Sequence, residues 1–295
     1  MTATCGPATG LAARPYEAGD EPAVLALVNA DRVTGQPAAS AEMLAEALTG
    51  RPAADRGWCA DLGPPATDVV LDPAGRVLGV VSYAVRRSDG AGFVLWLHGR
   101  EEPSVLAALL LHALGVLGDR PVHAFEFASV LSPALEGLPA RHRTATRLVL
   151  EAAGFTGRDL WRYLHAALPL AGLPQVADHR TADSTDPPGL RLEVRGGQAP
   201  AELRAEALIG RPVAGVGVLW WIDVGPAHRN RGLGTALLGS ALDLLRSAGA
   251  SEVVVSVDDD PDDDDPQWGR TAANRFFDRA GFAEVDRLWS FTRRR

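Results

Sequence analysis

The stretch Val218–Leu238, VLWWIDVGPAHRNRGLGTALL, restricts this chain more than any other. An apolar run ends at Val224 and a proline turn follows. Arg229-Asn230-Arg231-Gly232-Leu233-Gly234 then leads into an amphipathic segment from Thr235. A buried strand that passes through a Gly/Arg loop into a helix makes an anion site. The first N–H groups of a helix lack partners within it, and its dipole favours negative charge there. Gly232 and Gly234 let the main chain approach closely, and Arg229 and Arg231 add fixed positive charge. The expectation is a phosphate cradled by the N–H groups from Arg231 to Thr235.

The chain has 295 residues, enough for one large domain or two ordinary ones, and 46% of them are hydrophobic, enough for a sizeable core. A formal charge of −8 argues against general nucleic-acid binding, even though all 29 basic residues are Arg. Cys5 and Cys59 are the only cysteines, and two free thiols in a reducing compartment are expected. The opening MTATCGPATG lacks the basic and apolar regions of a signal peptide, and no apolar stretch is long enough to span a membrane. The expected setting is cytoplasmic. Monomer and homodimer are both open.

Residue patterning predicts an α+β chain of two tandem units, each a mixed, mostly antiparallel sheet flanked by helices, the second abbreviated. In the first, a strand at Ala13–Tyr16 precedes a helix capped by Asp20, and Ser40 to Gly50 bounds a second helix. Asp72-Pro73-Ala74-Gly75 joins two β-rich runs, Thr67–Leu71 and Val77–Ala84. A strand at Phe93–Leu97, a helix at Ser104–Leu117, a strand at Val122–Phe127, a helix at Arg143–Ala153 and a strand at Leu160–Leu168 follow. The Pro/Asp-rich segment before Pro188 predicts a linker, so the units are taken as 1–170 and 189–295, with 171–188 between. The second unit repeats the order with strands at Leu190–Val194, Glu202–Leu208 and Val216–Val224. A helix at Gly234–Ala248, a strand at Ser251–Val257, a helix at Arg270–Ala280 and a strand at Val285–Phe291 complete it. Both units close a helix with Ala-Gly-Phe, at Ala153–Phe155 and Ala280–Phe282.

Arg229-x-x-Gly232-x-Gly234 after a strand, with Asn274-Arg275-Phe276-Phe277-Asp278-Arg279-Ala280-Gly281-Phe282 downstream, resembles the GNAT superfamily of acyl-CoA-dependent N-acetyltransferases. The two motifs span most of Val216–Arg295. The first half resembles a second, degenerate unit, with Ala13-Arg14-Pro15-Tyr16 and Gly19-Asp20 similar to the usual opening. Where its phosphate loop should stand is His98-Gly99-Arg100-Glu101-Glu102-Pro103-Ser104, which lacks paired glycines and carries two carboxylates. That loop is expected to bind CoA poorly. A tandem arrangement with one working site resembles the mycothiol-synthase-like group.

The resemblance implies acetyl-CoA as co-substrate, no metal, and a cofactor site at Ile222, Asp223, Val224, Arg229, Asn230, Arg231, Gly232, Leu233, Gly234, Thr235, Asn274 and Phe277. It also implies that the strand ending Ile222-Asp223-Val224 splays from its neighbour. Main-chain groups would then be free for pantetheine, with the Val224 N–H near the thioester oxygen. Many relatives carry Tyr where Phe277 stands, as the acid for the departing thiolate. The tyrosines here, Tyr16, Tyr83 and Tyr163, all precede the linker. A thiol of pKa about 8.5 is a tolerable leaving group near neutral pH, and water, Ser256 or a first-unit residue can stand in. Asp223, Glu206 and Asp258 are the candidate bases for a neutral amine nucleophile. His228, beside the loop, is either a phosphate contact or an exposed side chain. Trp220, Trp221, Trp268 and Trp289 are candidate pocket lining.

Asp258–Pro266, DDDPDDDDP, is a solvated loop on one reading and a steering surface for a cationic amine on the other; it has no ordered metal-ligand spacing. Three functional readings stay open. The first is direct acetyl transfer to a primary amine of a small molecule. The second is a mycothiol-synthase-like acetylation of a cysteinyl conjugate. The third is a noncatalytic acyl-CoA-binding regulator.

Overall fold

The computed structural model describes residues 10–50, 59–196, 202–258 and 270–294. Its first half runs β1 (Ala12–Pro15), α1 (Glu21–Ala30), α2 (Ala41–Thr49), β2 (Ala66–Leu71), β3 (Val77–Val85), β4 (Gly92–His98) and α3 (Pro103–Leu117). It continues with β5 (Val122–Ala124), β6 (Leu138–Pro139), α4 (Thr144–Ala152) and β7 (Thr156–Ala167). The second half has β8 (Arg180–Thr185), β9 (Pro188–Gly196), β10 (Glu202–Ile209), β11 (Val216–Val224) and α5 (Leu233–Ser247). It ends with β12 (Glu252–Asp258), α6 (Arg270–Ala280) and β13 (Ala283–Arg293). No helix among the described residues is long and apolar enough to cross a membrane.

The strands form one continuous mixed sheet in the order β1-β2-β3-β4-β5-β13-β7-β12-β11-β10-β9-β8, with β6 also on β13. The order shows a crossing at the centre. β7, from the first half, pairs antiparallel with β12, while β13, the last strand of the chain, pairs antiparallel with β5. β7 and β13 then pair with each other from Thr156/Thr292 to His165/Ala283. Each half is therefore completed by a strand of the other. Helices α3 and α4 bury Leu106, Leu109, Leu110, Leu117 and Leu150 against the first half's sheet, and α1 and α2 bury Val24, Leu27 and Leu44 on its other face. Helix α5 buries Leu237, Leu238, Ala241 and Leu245 against the second.

Three local expectations change. Asp20 precedes α1 but makes no side-chain cap; its carboxylate accepts from the Arg14 guanidinium at 2.7 Å and the Glu17 N–H at 2.9 Å instead. Strand β5 stops at Ala124 because Phe125 takes a left-handed backbone, φ 58°. The segment expected as linker contains β8, an exposed edge strand of sequence RTADST. It has no apolar alternation to betray it, and its pairing with β9 is a main-chain matter.

Candidate active site

Strand β11 pairs in parallel with β12 at Val216–Val218 and then departs from it. A β-bulge follows the last paired residue. On β10, Ile209 faces Leu219 of β11 while Leu208 faces Trp221, so Trp220 is the extra residue. The bulge reverses the facing of the residues beyond it. Leu219, Ile222 and Val224 all turn toward α5, whereas Trp220 packs on the opposite side with Trp161 and Leu135. Trp220, Ile222 and Val224, which alternation puts on one core face, thus belong to two.

Bonded and non-bonded pairs alternate along an antiparallel ladder. Gly225 donates to the Arg204 carbonyl at 2.9 Å, which makes Ala205/Val224 and Ala207/Ile222 the non-bonded pairs. The N–H and C=O groups of Ile222 and Val224 consequently point away from β10, into the gap left by β12. The Val224 carbonyl receives the Arg229 Nε at 2.7 Å. Its N–H remains directed at the gap.

Beyond the strand, Asn230 (φ 59°) and Gly232 (φ 77°) take left-handed backbones on either side of Arg231. This alternation turns successive N–H groups inward, as in an anion nest. Gly232 is the N-cap of α5, and the first bond there runs from the Ala236 N–H to the Gly232 carbonyl at 3.0 Å. Leu233, Gly234 and Thr235 therefore present their N–H groups beyond the helix end. A Cβ on Gly232 would meet nothing within 4 Å among the described residues, so the cradle is open to them. A Cβ on Gly234 would stand 3.4 Å from Val224 Cγ2 and 3.7 Å from the Phe276 ring, which closes the cradle's floor. An open strand edge leading into an N–H cradle fits a pantetheine arm and its pyrophosphate.

Comparison with known proteins agrees. The profile of the acetyltransferase (GNAT) family matches residues 205–282. The mycothiol acetyltransferase of Mycobacteroides abscessus is 30% identical over 228 residues, covering 73% of this chain and 70% of that protein. The chain belongs to the GNAT family. The mycothiol acetyltransferase of Beutenbergia cavernae is 28% identical over 253 residues, 74% of this chain and 80% of that protein. Among solved structures, a tandem GNAT protein from the clavulanic acid biosynthesis pathway has a TM-score of 0.62 at 20% identity, covering 96% of this chain and 98% of that one. A GCN5-related N-acetyltransferase from Sphaerobacter thermophilus gives 0.61 at 18%, with 96% and 95% covered. The chain is thus an N-acetyltransferase with a tandem GNAT fold, and its family uses acetyl-CoA as co-substrate.

The structure separates the candidate residues of this GNAT site. Glu206 and Asp223 face each other across β10 and β11, on the sheet face away from α5. Glu206 accepts from Arg191 at 2.6 Å, and Asp223 lies 3.4 Å from Arg229. Asp258 ends β12, opposite Trp161 on β7; the rest of the acidic run, Asp259–Pro266, and Trp268 lie outside the described residues, as does Cys5. The Ser256 hydroxyl donates to the Ala134 carbonyl at 2.5 Å, so its hydrogen is engaged with a first-half loop. Phe277 is 4% exposed and packs edge-on against Phe276 and Phe282. Its ring is core; the neighbouring Phe276 is the one beside the helix start. Asn274 accepts from the Arg162 Nη1 at 2.8 Å, and the same guanidinium holds Glu284 at 2.6 Å and Asp278 at 3.0 Å. Sequence reasoning missed Arg162 because it arrives on β7, the crossed strand. His228 lies 3.4 Å from Glu202. Trp221 is exposed, with Arg191 5.4 Å from its ring. Trp289 packs in the first half's core beside Phe291, so the crossing of β13 removes it from the second cleft.

The first half builds a second GNAT-type cleft. Strand β4 pairs with β5 at Gly92–Val94, bulges at Leu95, and departs. Here the open edge is filled. Arg143, 3% exposed, donates from Nη2 to the Leu97 carbonyl at 2.9 Å and from Nε to Glu101 at 2.5 Å. The Gly99 N–H donates to Asp31 at 3.2 Å, and Asp31 also meets His98 Nδ1 at 3.2 Å. Glu101 accepts from the Thr146 N–H at 3.0 Å. Burial raises the Asp31 carboxyl, but the bond from His98 and the charge of Arg143 outweigh it and hold the group below the ordinary carboxylate range.

Proposed function

We propose that this enzyme transfers the acetyl group of acetyl-CoA directly to a primary amine of a small molecule, at the cleft between β11 and β12. The open edge of Ile222 and Val224, running into the Gly232 cradle, carries the proposal. Acetyl-CoA supplies an activated acyl thioester. The main-chain groups of Ile222 would align the pantetheine arm like an added strand. The N–H groups of Leu233, Gly234 and Thr235 would hold pyrophosphate, with Arg229 and Arg231 adding charge. The Val224 N–H would donate to the thioester oxygen, worth about 3 kcal/mol to the rate as one oxyanion donor. Glu206 and Asp223, adjacent on the face away from α5, would take the proton from the attacking amine. In this scheme Ser256 and Phe277 have no proton-transfer role, and the thiolate departs without a protein acid.

We keep the division 1–170 and 189–295 as the functional one, with the first unit providing β7 and a wall of the acceptor pocket. A mycothiol-type acceptor, the amine of a cysteinyl conjugate, is a narrower second reading; the relatives called mycothiol acetyltransferases favour it. An amine panel that includes such a conjugate, with thiol release from acetyl-CoA as the readout, tests both. Amine-dependent release is expected, and the double variant Glu206→Gln, Asp223→Asn should lower kcat by about 10²–10³ with acetyl-CoA affinity kept. Binding of acetyl-CoA without turnover on any amine would favour the noncatalytic reading instead.

A further inference from the structure

The gap between β4 and β5 is not wholly filled. A cavity, open to solvent at its mouth, remains beside the Arg143 plug. Among its walls are Asp31, Arg32, Gln36, Trp96, His98 and Arg143. Several of these side chains keep unused bonding capacity. The contacts of Arg143 engage Nε and Nη2, and Nη1 meets no partner among the described residues. Among the described residues His98 bonds only through Nδ1. Because the Asp31 carboxylate can only accept, Nδ1 carries the proton and Nε2 is left as an acceptor. Gln36 is 6% exposed, and its Oε1 meets no donor among the described residues. Arg32 is exposed on the cavity wall.

We propose that this cavity binds a small carboxylate with a neighbouring O–H or N–H donor, the chemistry of a short 2-hydroxy or 2-amino acid. Asp31 and Glu101 balance Arg143, so the exposed Arg32 guanidinium, with no ion pair among the described residues, is the charge that selects an anion. The free Nη1 of Arg143 and the Arg32 guanidinium suit a carboxylate, and the His98 Nε2 needs a donor beside it. A CoA pyrophosphate is excluded here, since Asp31 and Arg143 already occupy the strand edge and Glu101 sits in the loop.

Titration calorimetry with glycolate, lactate, L-alanine and L-serine tests this. Acetate, which lacks the donor, and ethanolamine, which lacks the carboxylate, are the controls. At least one of the four should bind saturably and about tenfold more tightly than both controls, the effect of one charged hydrogen bond. Arg32→Ala, an exposed change, should weaken it about tenfold. His98→Asn, whose amide can still reach Asp31, should do likewise, and Gly232→Glu should leave it unchanged. Absence of saturable binding by all four overturns the proposal. So does affinity that Arg32→Ala leaves intact, or that Gly232→Glu abolishes.

Discussion

In the second half, β11 leaves β12 after Val218, and among the described residues the main-chain edge at Ile222 and Val224 stays open except for the Val224 carbonyl. In the first, β4 leaves β5 after Val94, and the matching edge at Leu97 and Gly99 is closed by Arg143 and Asp31. Both gaps arise from one device, a short parallel pairing followed by a bulge. What differs is downstream. The loop 225–232 is twice as long as 99–102, and it carries its left-handed turns at Asn230 and Gly232. The shorter loop places Arg100 and Glu101 in that conformation, and the Glu101 carboxylate folds into the Arg143 network. A splayed strand thus makes a gap, and the following loop decides whether the gap receives a cofactor or seals itself.

The largest effect should come from unsealing. Arg143→Met removes the guanidinium that both Asp31 and Glu101 meet. Breaking a buried ion pair from one side costs about 3–5 kcal/mol, and Glu101, partly exposed, puts this one toward the lower end. Urea denaturation should show that loss while acetyl-CoA stoichiometry stays at one per chain, because 99–102 has no cradle. A second acetyl-CoA bound to the variant would mean that Arg143 alone distinguishes the clefts.

The opposite intervention is to close the open cleft. Gly232→Glu puts a carboxylate among the N–H groups meant for phosphate, and acetyl-CoA should bind about 100-fold more weakly. Gly232→Ala separates strain from charge. Its methyl has free space, but the left-handed backbone costs a side chain about 1 kcal/mol. The Ala variant should lose that much stability and keep most of its affinity. Equal loss of affinity in both would show that the backbone turn, and not the anion cradle, matters.

Much of this was legible in the chain itself. The strand, the Arg229–Gly234 loop and the helix after it lie together in sequence, and their chemistry is local. The plug was half legible, as Glu101 and Glu102 in a loop without paired glycines. Its other members, Asp31 and Arg143, come from far along the chain, and no spacing announces them. The bulge at Trp220 defeats simple alternation, since one extra residue moves Ile222 and Val224 to the face of Leu219. The crossing of β7 and β13 was invisible for a similar reason. Strand patterning gives the faces of a strand but not its neighbours, so Arg162 reached Asn274, and Trp289 left the second cleft, without a sequence signal. Phe277 shows the remaining limit, because a motif position names a residue and packing decides which of two adjacent rings faces the site.

The smallest expected effect concerns protons in the sealed cleft. Burial holds the His98 ring below its ordinary value of 6.5, with the Arg143 charge acting in the same direction and Asp31 and Glu101 opposing both. The folded chain therefore binds this proton less readily than the unfolded one. Its contribution to stability is complete above pH 6.5 and declines as the pH falls from there toward the folded-state value, by at most about 1.4 kcal/mol per pH unit. Asp31, itself held below the carboxylate range, yields only in more acid solution and does not confuse the window. The unfolding free energy from urea titrations should fall further between pH 7.5 and 5.5 for the natural chain than for His98→Asn, which has no ring to protonate. An equal difference in both would place the acid sensitivity elsewhere, and the sealed cleft would then be held by Arg143 and its carboxylates without help from the imidazole.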